Sequence, residues 1–129
     1  MMRVLLDTNS FLWFIVGSNR LSIDAKNIIN DLENQLFLSS ASLWEIAIKV
    51  TLGKLELLLP FEQLIPRELK ENNIDILPIE LPHLIKLIDL PFYHRDPFDR
   101  LILSQALEED LLLISPDVHF SQYSVKLFW

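Results

Sequence analysis

The chain contains no cysteine among its 129 residues. That absence removes disulfides, thiolate zinc sites and cysteine nucleophiles together, and it fits a reducing compartment such as the cytoplasm. Glycine is nearly as scarce, with only Gly17 and Gly53. Two isolated glycines cannot build a glycine-rich phosphate loop or a dinucleotide fingerprint. There is no Gly-x-Ser-x-Gly nucleophile elbow either. No apolar run approaches the ~18–20 residues of a membrane span, and residues 11–16 are too few for the apolar core of a secretion signal. A soluble chain with no membrane partner is expected. Basic residues are also in deficit, 11 against 18 acids, for a formal charge of −7. Long-range attraction therefore opposes binding to a polyanion unless local bases and bound cations bridge to its phosphates.

What is present is apolar and alternating in character. Half the residues are hydrophobic and the mean hydropathy is +0.28, enough to fill a core and too much for disorder. Such content suits a sheet covered on both faces, or a buried subunit interface. Strand-like runs fall at residues 2–7, 36–38, 74–77, 111–115 and 125–127. Helical patterns fill residues 8–16, 22–33, 40–52, 61–71, 81–90 and 97–109. The second helix should bury Ala25, Ile28, Ile29 and Leu32, and Gly53 should follow the end of the third. Alternation of this kind predicts a three-layer α/β/α sandwich with a mostly parallel central sheet. Without repeats, low-complexity tracts or linkers, residues 1–129 are expected to form a single domain.

Four acids stand where a fold must hold a carboxylate deliberately. Asp7 follows the first strand, Glu45 interrupts an apolar helical stripe with Ala41, Ile48 and Leu52, Asp99 sits at the start of the last helix, and Asp117 follows the strand at 111–115. Each has a plainer explanation: a helix cap for Asp7, an ion pair with Lys49 for Glu45, favourable interaction with the helix dipole for Asp99, a turn for Asp117. In open α/β sheets, however, sites form beyond the carboxyl ends of the strands, where Asp7 and Asp117 stand. Buried acids without a matching basic cluster need a partner, and oxygen donors of this kind suit Mg²⁺ or Mn²⁺. Asp96, before Pro97, reads as the helix N-cap and mainly structural, leaving Asp99 as the better ligand. The three histidines, His83, His94 and His119, lack close metal-ligand spacing and read as structural or exposed. His94 and Arg95 share the loop beside the site, where they contact phosphate or buttress the loop.

Asp7-Thr8-Asn9, the segment Ser42-Leu43-Trp44-Glu45-Ile46-Ala47-Ile48-Lys49, the stretch His94-Arg95-Asp96-Pro97-Phe98-Asp99-Arg100-Leu101-Ile102 and the closing Ile114-Ser115-Pro116-Asp117-Val118-His119-Phe120 occur together in this order. As a set they resemble a PIN-domain ribonuclease of the VapC type, the toxin of a bacterial toxin–antitoxin pair. The resemblance spans essentially the whole chain. It implies a PIN-like fold and an endoribonuclease that uses Mg²⁺ or Mn²⁺ held by Asp7, Glu45, Asp99 and Asp117, with Asn9 and Ser115 as polar support. It also implies a homodimer and inhibition by a cognate antitoxin. In one departure, Ser115-Pro116 stands where many relatives carry threonine and then a basic or polar residue; Pro116 removes a backbone donor near Asp117. Lys49, Lys54, Arg95 and Arg100 are candidates for contacts with RNA phosphates, and residues 11–16, with Trp13, for part of an interface. Two other classes compete. A Mg²⁺-dependent phosphate-receiver signalling domain usually carries an acidic pair at the first strand and a late lysine, and this chain has neither. A catalytically silent partner-binding domain would not need the intact acid set.

Overall fold

Short runs of Val, Leu and Ile without polar alternation make strands that must be covered on both faces. The computed structural model, which describes residues 1–129, places these runs at the centre of three layers. In chain order the elements are β1 (Arg3–Leu6), α1 (Thr8–Val16), α2 (Ile23–Asn30), β2 (Gln35–Ser39), α3 (Ser40–Thr51), α4 (Phe61–Glu71), β3 (Ile74–Leu77), α5 (Leu81–Asp89), α6 (Pro97–Glu108), β4 (Leu112–Ile114), a 3₁₀ turn (Val118–Gln122) and β5 (Leu127–Phe128). The sheet order is β3-β2-β1-β4-β5, and every pairing is parallel. The expected fold class is thereby met, with a sheet that is wholly rather than mostly parallel.

Alternation along β1 divides the interior in two. Val4 and Leu6 face a core closed by Phe11, Ala25, Ile29 and Ile65, from α1, α2 and α4. Leu5 faces the opposite core, closed by Leu101, Ile102 and Ala106 of α6 together with Phe120. Helix α3 contributes to both, through Ile46 and Ala41 respectively. Helix α6 is the most enclosed of the helices, with every residue from Arg100 to Ala106 buried. Its buried Gln105 donates to the carbonyls of Leu77 and Pro78 and accepts from the Ser39 hydroxyl, tying α6 to the carboxyl ends of β2 and β3.

Two boundaries differ from the sequence expectation by more than one residue. Helix α2 stops at Asn30 because Asp31 turns the chain, its side chain accepting from the Glu33 amide at 3.0 Å. Leu32, expected inside, is 93% exposed. The last strand lies at Leu127–Phe128 rather than 125–127, because β4 has three residues and pairs only Leu113 with Leu127 and Ile114 with Phe128. Gly53 does follow the end of α3, with φ +70, the left-handed region open to glycine.

The strand order reverses direction about β1. Its successor β2 lies on one side and β4, reached only after β3, on the other. Loops leaving the carboxyl ends of β1 and β4 therefore diverge, which opens a crevice between them.

Candidate active site

Asp7 leaves β1 at this crevice and caps α1, Oδ1 accepting from the Ser10 amide at 2.8 Å. The plainer reading of Asp7 as a helix cap is thus correct as geometry. Yet the residue is only 6% exposed, and burial pushes its carboxyl above the ordinary range. Hydrogen bonds from Ser10 and Ser115 offset that effect in part, and the charge of Asp117 adds to it. Ser115, from the end of β4, also accepts from the Asp117 amide at 3.1 Å, so one buried hydroxyl links the two acids.

Glu45 reaches the same place from α3 and is 7% exposed. Oε1 accepts from the Thr8 hydroxyl at 2.7 Å, and Oε2 pairs with Lys49 at 2.7 Å. The Thr8 oxygen also meets the Ser42 hydroxyl at 2.9 Å. The i,i+4 ion pair expected of Lys49 is therefore present, and a threonine beside Asp7 fixes the other oxygen of the carboxylate.

Asp96 caps α6, accepting from the Asp99 amide at 3.0 Å, and Asp99 stands in the first helical turn. The carboxyl of Asp99 is pushed up to about 7. Burial is the main cause, and the charges of Asp96, Glu45 and Asp7 act in the same direction, against the opposing influence of His94. The charges of Asp7 and Glu45 thus reach Asp99, although the three acids stand on separate parts of the chain.

Two histidines complete the arrangement. The Asp96 amide donates to Nδ1 of His94 at 3.3 Å, so the ring proton lies on Nε2. That N–H meets Oδ2 of Asp117 at 2.7 Å and Oδ2 of Asp99 at 3.1 Å. His119 places Nδ1 2.8 Å from the other oxygen of Asp117. Burial raises the carboxyl of Asp117, but the His119 amide and the two imidazoles outweigh it and leave the group below its ordinary value. The ligand atoms of His94, Asp117 and His119 lie within 4.8 Å of one another. The sequence reading missed His119, although its place two residues after Asp117 at a strand end was the available signal. His83 lies elsewhere, fully buried, with its two nitrogens engaged by the Glu80 amide at 3.0 Å and Glu109 at 3.2 Å.

The basic candidates separate. Lys54 and Arg95 are exposed and unpaired, while Lys49 is committed to Glu45. Arg100 is not a surface cation: it is 6% exposed, and its guanidinium donates to the carbonyls of Leu87, Leu90, Pro91 and His94. Phe92 packs on it at 4.0 Å. Buried among carbonyls, it holds the loop that carries His94 and is unavailable to phosphate. Asn9 is exposed and borders an apolar groove with Leu12, Trp13, Ile15, Val16 and Leu58 rather than hydrogen-bonding the acids.

The donor set is oxygen-rich and suits a hard divalent cation: Thr8 ties Glu45 to the turn of Asp7, His94 ties Asp99 to Asp117, and the charges of Glu45 and Asp7 reach Asp99. Comparison with known proteins agrees with the geometry. The family model for the PIN domain matches residues 4–126. Ribonuclease VapC16 of Mycobacterium tuberculosis is 37% identical over 68 residues, covering 50% of this chain and 48% of that protein. The chain thus matches about half the length of this curated relative. The crystal structure of VapBC2 from Rickettsia felis bound to a promoter DNA fragment superimposes with a TM-score of 0.74 at 18% identity, covering 99% of each chain. VapBC-1 from nontypeable Haemophilus influenzae gives 0.71 at 21% identity, over 98% of this chain and 97% of the other. These structural likenesses establish a shared fold. With nearly its full length matched by the family model and its acids at the expected strand and helix ends, the chain belongs to the PIN domain family.

Proposed function

We propose that residues 1–129 act as one PIN-like domain with divalent-metal-dependent endoribonuclease activity, serving as the VapC-type toxin of a toxin–antitoxin pair in the cytoplasm. The observation that carries this reading is the gathering of Asp7, Glu45, Asp99 and Asp117 at one end of the sheet: Thr8 bonds Glu45 beside Asp7, and His94 joins Asp99 to Asp117. Asp7, Glu45 and Asp99 would hold Mg²⁺ or Mn²⁺, with Asp117 completing the set. When bound, such an ion lowers the pKa of coordinated water and offsets charge building on the phosphodiester. The chain's own residues hold the acids in place. Thr8 orients Glu45, Ser115 links Asp7 to Asp117, and the Nε2–H of His94 spans Asp99 and Asp117. Lys54 and Arg95 remain as exposed cations for RNA phosphates, with Lys49 at the edge of the site.

The relative that matches half the chain is named a ribonuclease, and the structural neighbours are toxin–antitoxin complexes. Both support RNA as substrate and an antitoxin as partner. The groove along α1, closed by Leu55, Leu57 and Leu64, is an apolar surface suited to the antitoxin or to a second copy of the chain. Cleavage of a structured RNA panel in Mg²⁺, Mn²⁺ or EDTA tests the reading. Wild type should cut with either ion and not in EDTA, and Asp7→Asn should lose on the order of 100-fold or more. Equal cleavage by both proteins would expose a contaminating nuclease and sink the metal mechanism.

A further inference from the structure

Beside the acids, α3 and α6 meet through an aromatic contact that the mechanism leaves unused. Trp44 precedes Glu45 on α3, and Phe98 precedes Asp99 on α6. Their rings stand edge to face, with centroids 5.3 Å apart and planes at 82°. Trp44 is 59% exposed, while Phe98 is partly buried beside it. The other two tryptophans behave differently: Trp13 and Trp129 pack against each other at the apolar core. The indole next to the acids is the most exposed of the three. Each ring is the chain neighbour of an acid, so their contact joins the two helix segments that carry Glu45 and Asp99.

Beyond the exposed Lys54 and Arg95, a polyanion approaching this site gains little from the chain's own charge. The formal charge is −7, Lys49 is paired and Arg100 is buried among carbonyls. Affinity then needs a contribution that does not depend on cations, and stacking of bases on aromatic faces supplies one, with little dependence on base identity. We propose that Trp44, braced by Phe98, is a stacking platform for an unpaired nucleobase next to the phosphate that the carboxylates address. A base within a duplex has both faces covered by its neighbours, so the platform favours RNA that is single-stranded at the cut. This inference rests on the ribonuclease reading and narrows its substrate class.

The test uses the full chain with Ca²⁺ in place of Mg²⁺, and fluorescence anisotropy of a labelled ten-nucleotide RNA. The same strand is also presented annealed to its complement, and with one abasic position moved along it. Wild type should prefer the single strand, and abasic replacement at one position should weaken binding more than at the others. Trp44→Leu should raise Kd about 5- to 100-fold and abolish that positional effect, while Trp44→Phe keeps most of both. In cleavage with Mg²⁺, Trp44→Leu should raise KM and leave kcat within about twofold. The positional effect is read on the wild-type protein, so it stands even where a variant folds poorly. Unchanged RNA affinity and KM in Trp44→Leu overturn the platform and leave the ribonuclease reading intact. The same holds for a change in assembly state by sedimentation with RNA affinity unaltered, which would make Trp44 a protein contact. Wild type that neither binds nor cleaves any RNA overturns both.

Discussion

At Asp99, burial and the charges of Asp96, Glu45 and Asp7 act in one direction, and His94 opposes them from 3.1 Å. The folded chain holds this proton up to about pH 7, whereas an ordinary carboxyl releases it near 3.8. Across that interval the folded state binds more protons than the unfolded chain, so the contribution of Asp99 to stability falls as pH rises through it. The raised carboxyl of Asp7 works with the same sign, and the lowered carboxyl of Asp117 with the opposite one. In EDTA, Asp99→Asn should therefore stabilise the protein by about 1–3 kcal/mol at pH 8, after allowance for solvent screening, with the difference fading toward pH 4. Denaturant unfolding at several pH values measures it, and a constant difference at all pH would refute the assignment. Asp7, Asp99 and Asp117 were legible because each stands at an element boundary, and Glu45 because it interrupts the apolar stripe of α3. The clasp of His94 and His119 on Asp117 was not, since contact between residues 94 and 117 has no local signature in the chain.

Arg100 makes the corresponding point for an element. Its guanidinium joins the carboxyl end of α5 to the loop before α6, and so sets the path of residues 90–96 that carry His94. Removing it leaves several carbonyls without their donor. Arg100→Ala should cost about 2–4 kcal/mol in denaturant unfolding, and Arg100→Lys should recover only part, because one ammonium cannot reproduce the planar fork. If Arg100→Ala kept full stability, the guanidinium would not be the loop's anchor. From sequence Arg100 resembled a phosphate contact, since a base in the first turns of a helix beside an acidic site is normally solvated. Its burial depends on a loop folding over it from α5. By contrast, α4 and β3 have the boundaries expected of them, because Pro60 and the Asn72-Asn73 pair mark their ends locally. Asn73 takes the left-handed conformation, φ 52, that asparagine tolerates after a helix.

For the molecule as a whole, a strongly acidic chain concentrates several of its buried charges at one end of the sheet. Any cation bound there should stabilise the fold by mass action, about 2.7 kcal/mol at a hundredfold excess over Kd. Mg²⁺ or Mn²⁺ should therefore raise the melting temperature relative to EDTA in wild type, and Asp7→Asn should respond little. An equal rise in both proteins would indicate general screening of the net charge instead. The three layers and the parallel sheet followed from the alternation of helices and strands, whereas the strand order about β1 has no local signature in the chain. The very short β5 did not follow either, because only its partner β4 decides which two residues pair.

Two acids of the site, Asp7 and Asp117, are also helix caps, and Asp96 caps the turn that carries Asp99: the Ser10, His119 and Asp99 amides donate to them at 2.8, 2.9 and 3.0 Å. Forming the first turns of α1, α6 and the 3₁₀ segment is therefore the same event as setting the carboxylates in place. A fluctuation that frays one of those turns disarms the site without unfolding the core. Three amide protons thus serve as gauges of its readiness, and their exchange with solvent deuterium should slow together when Mg²⁺ is added, while the amides of β1 keep the rate set by global unfolding.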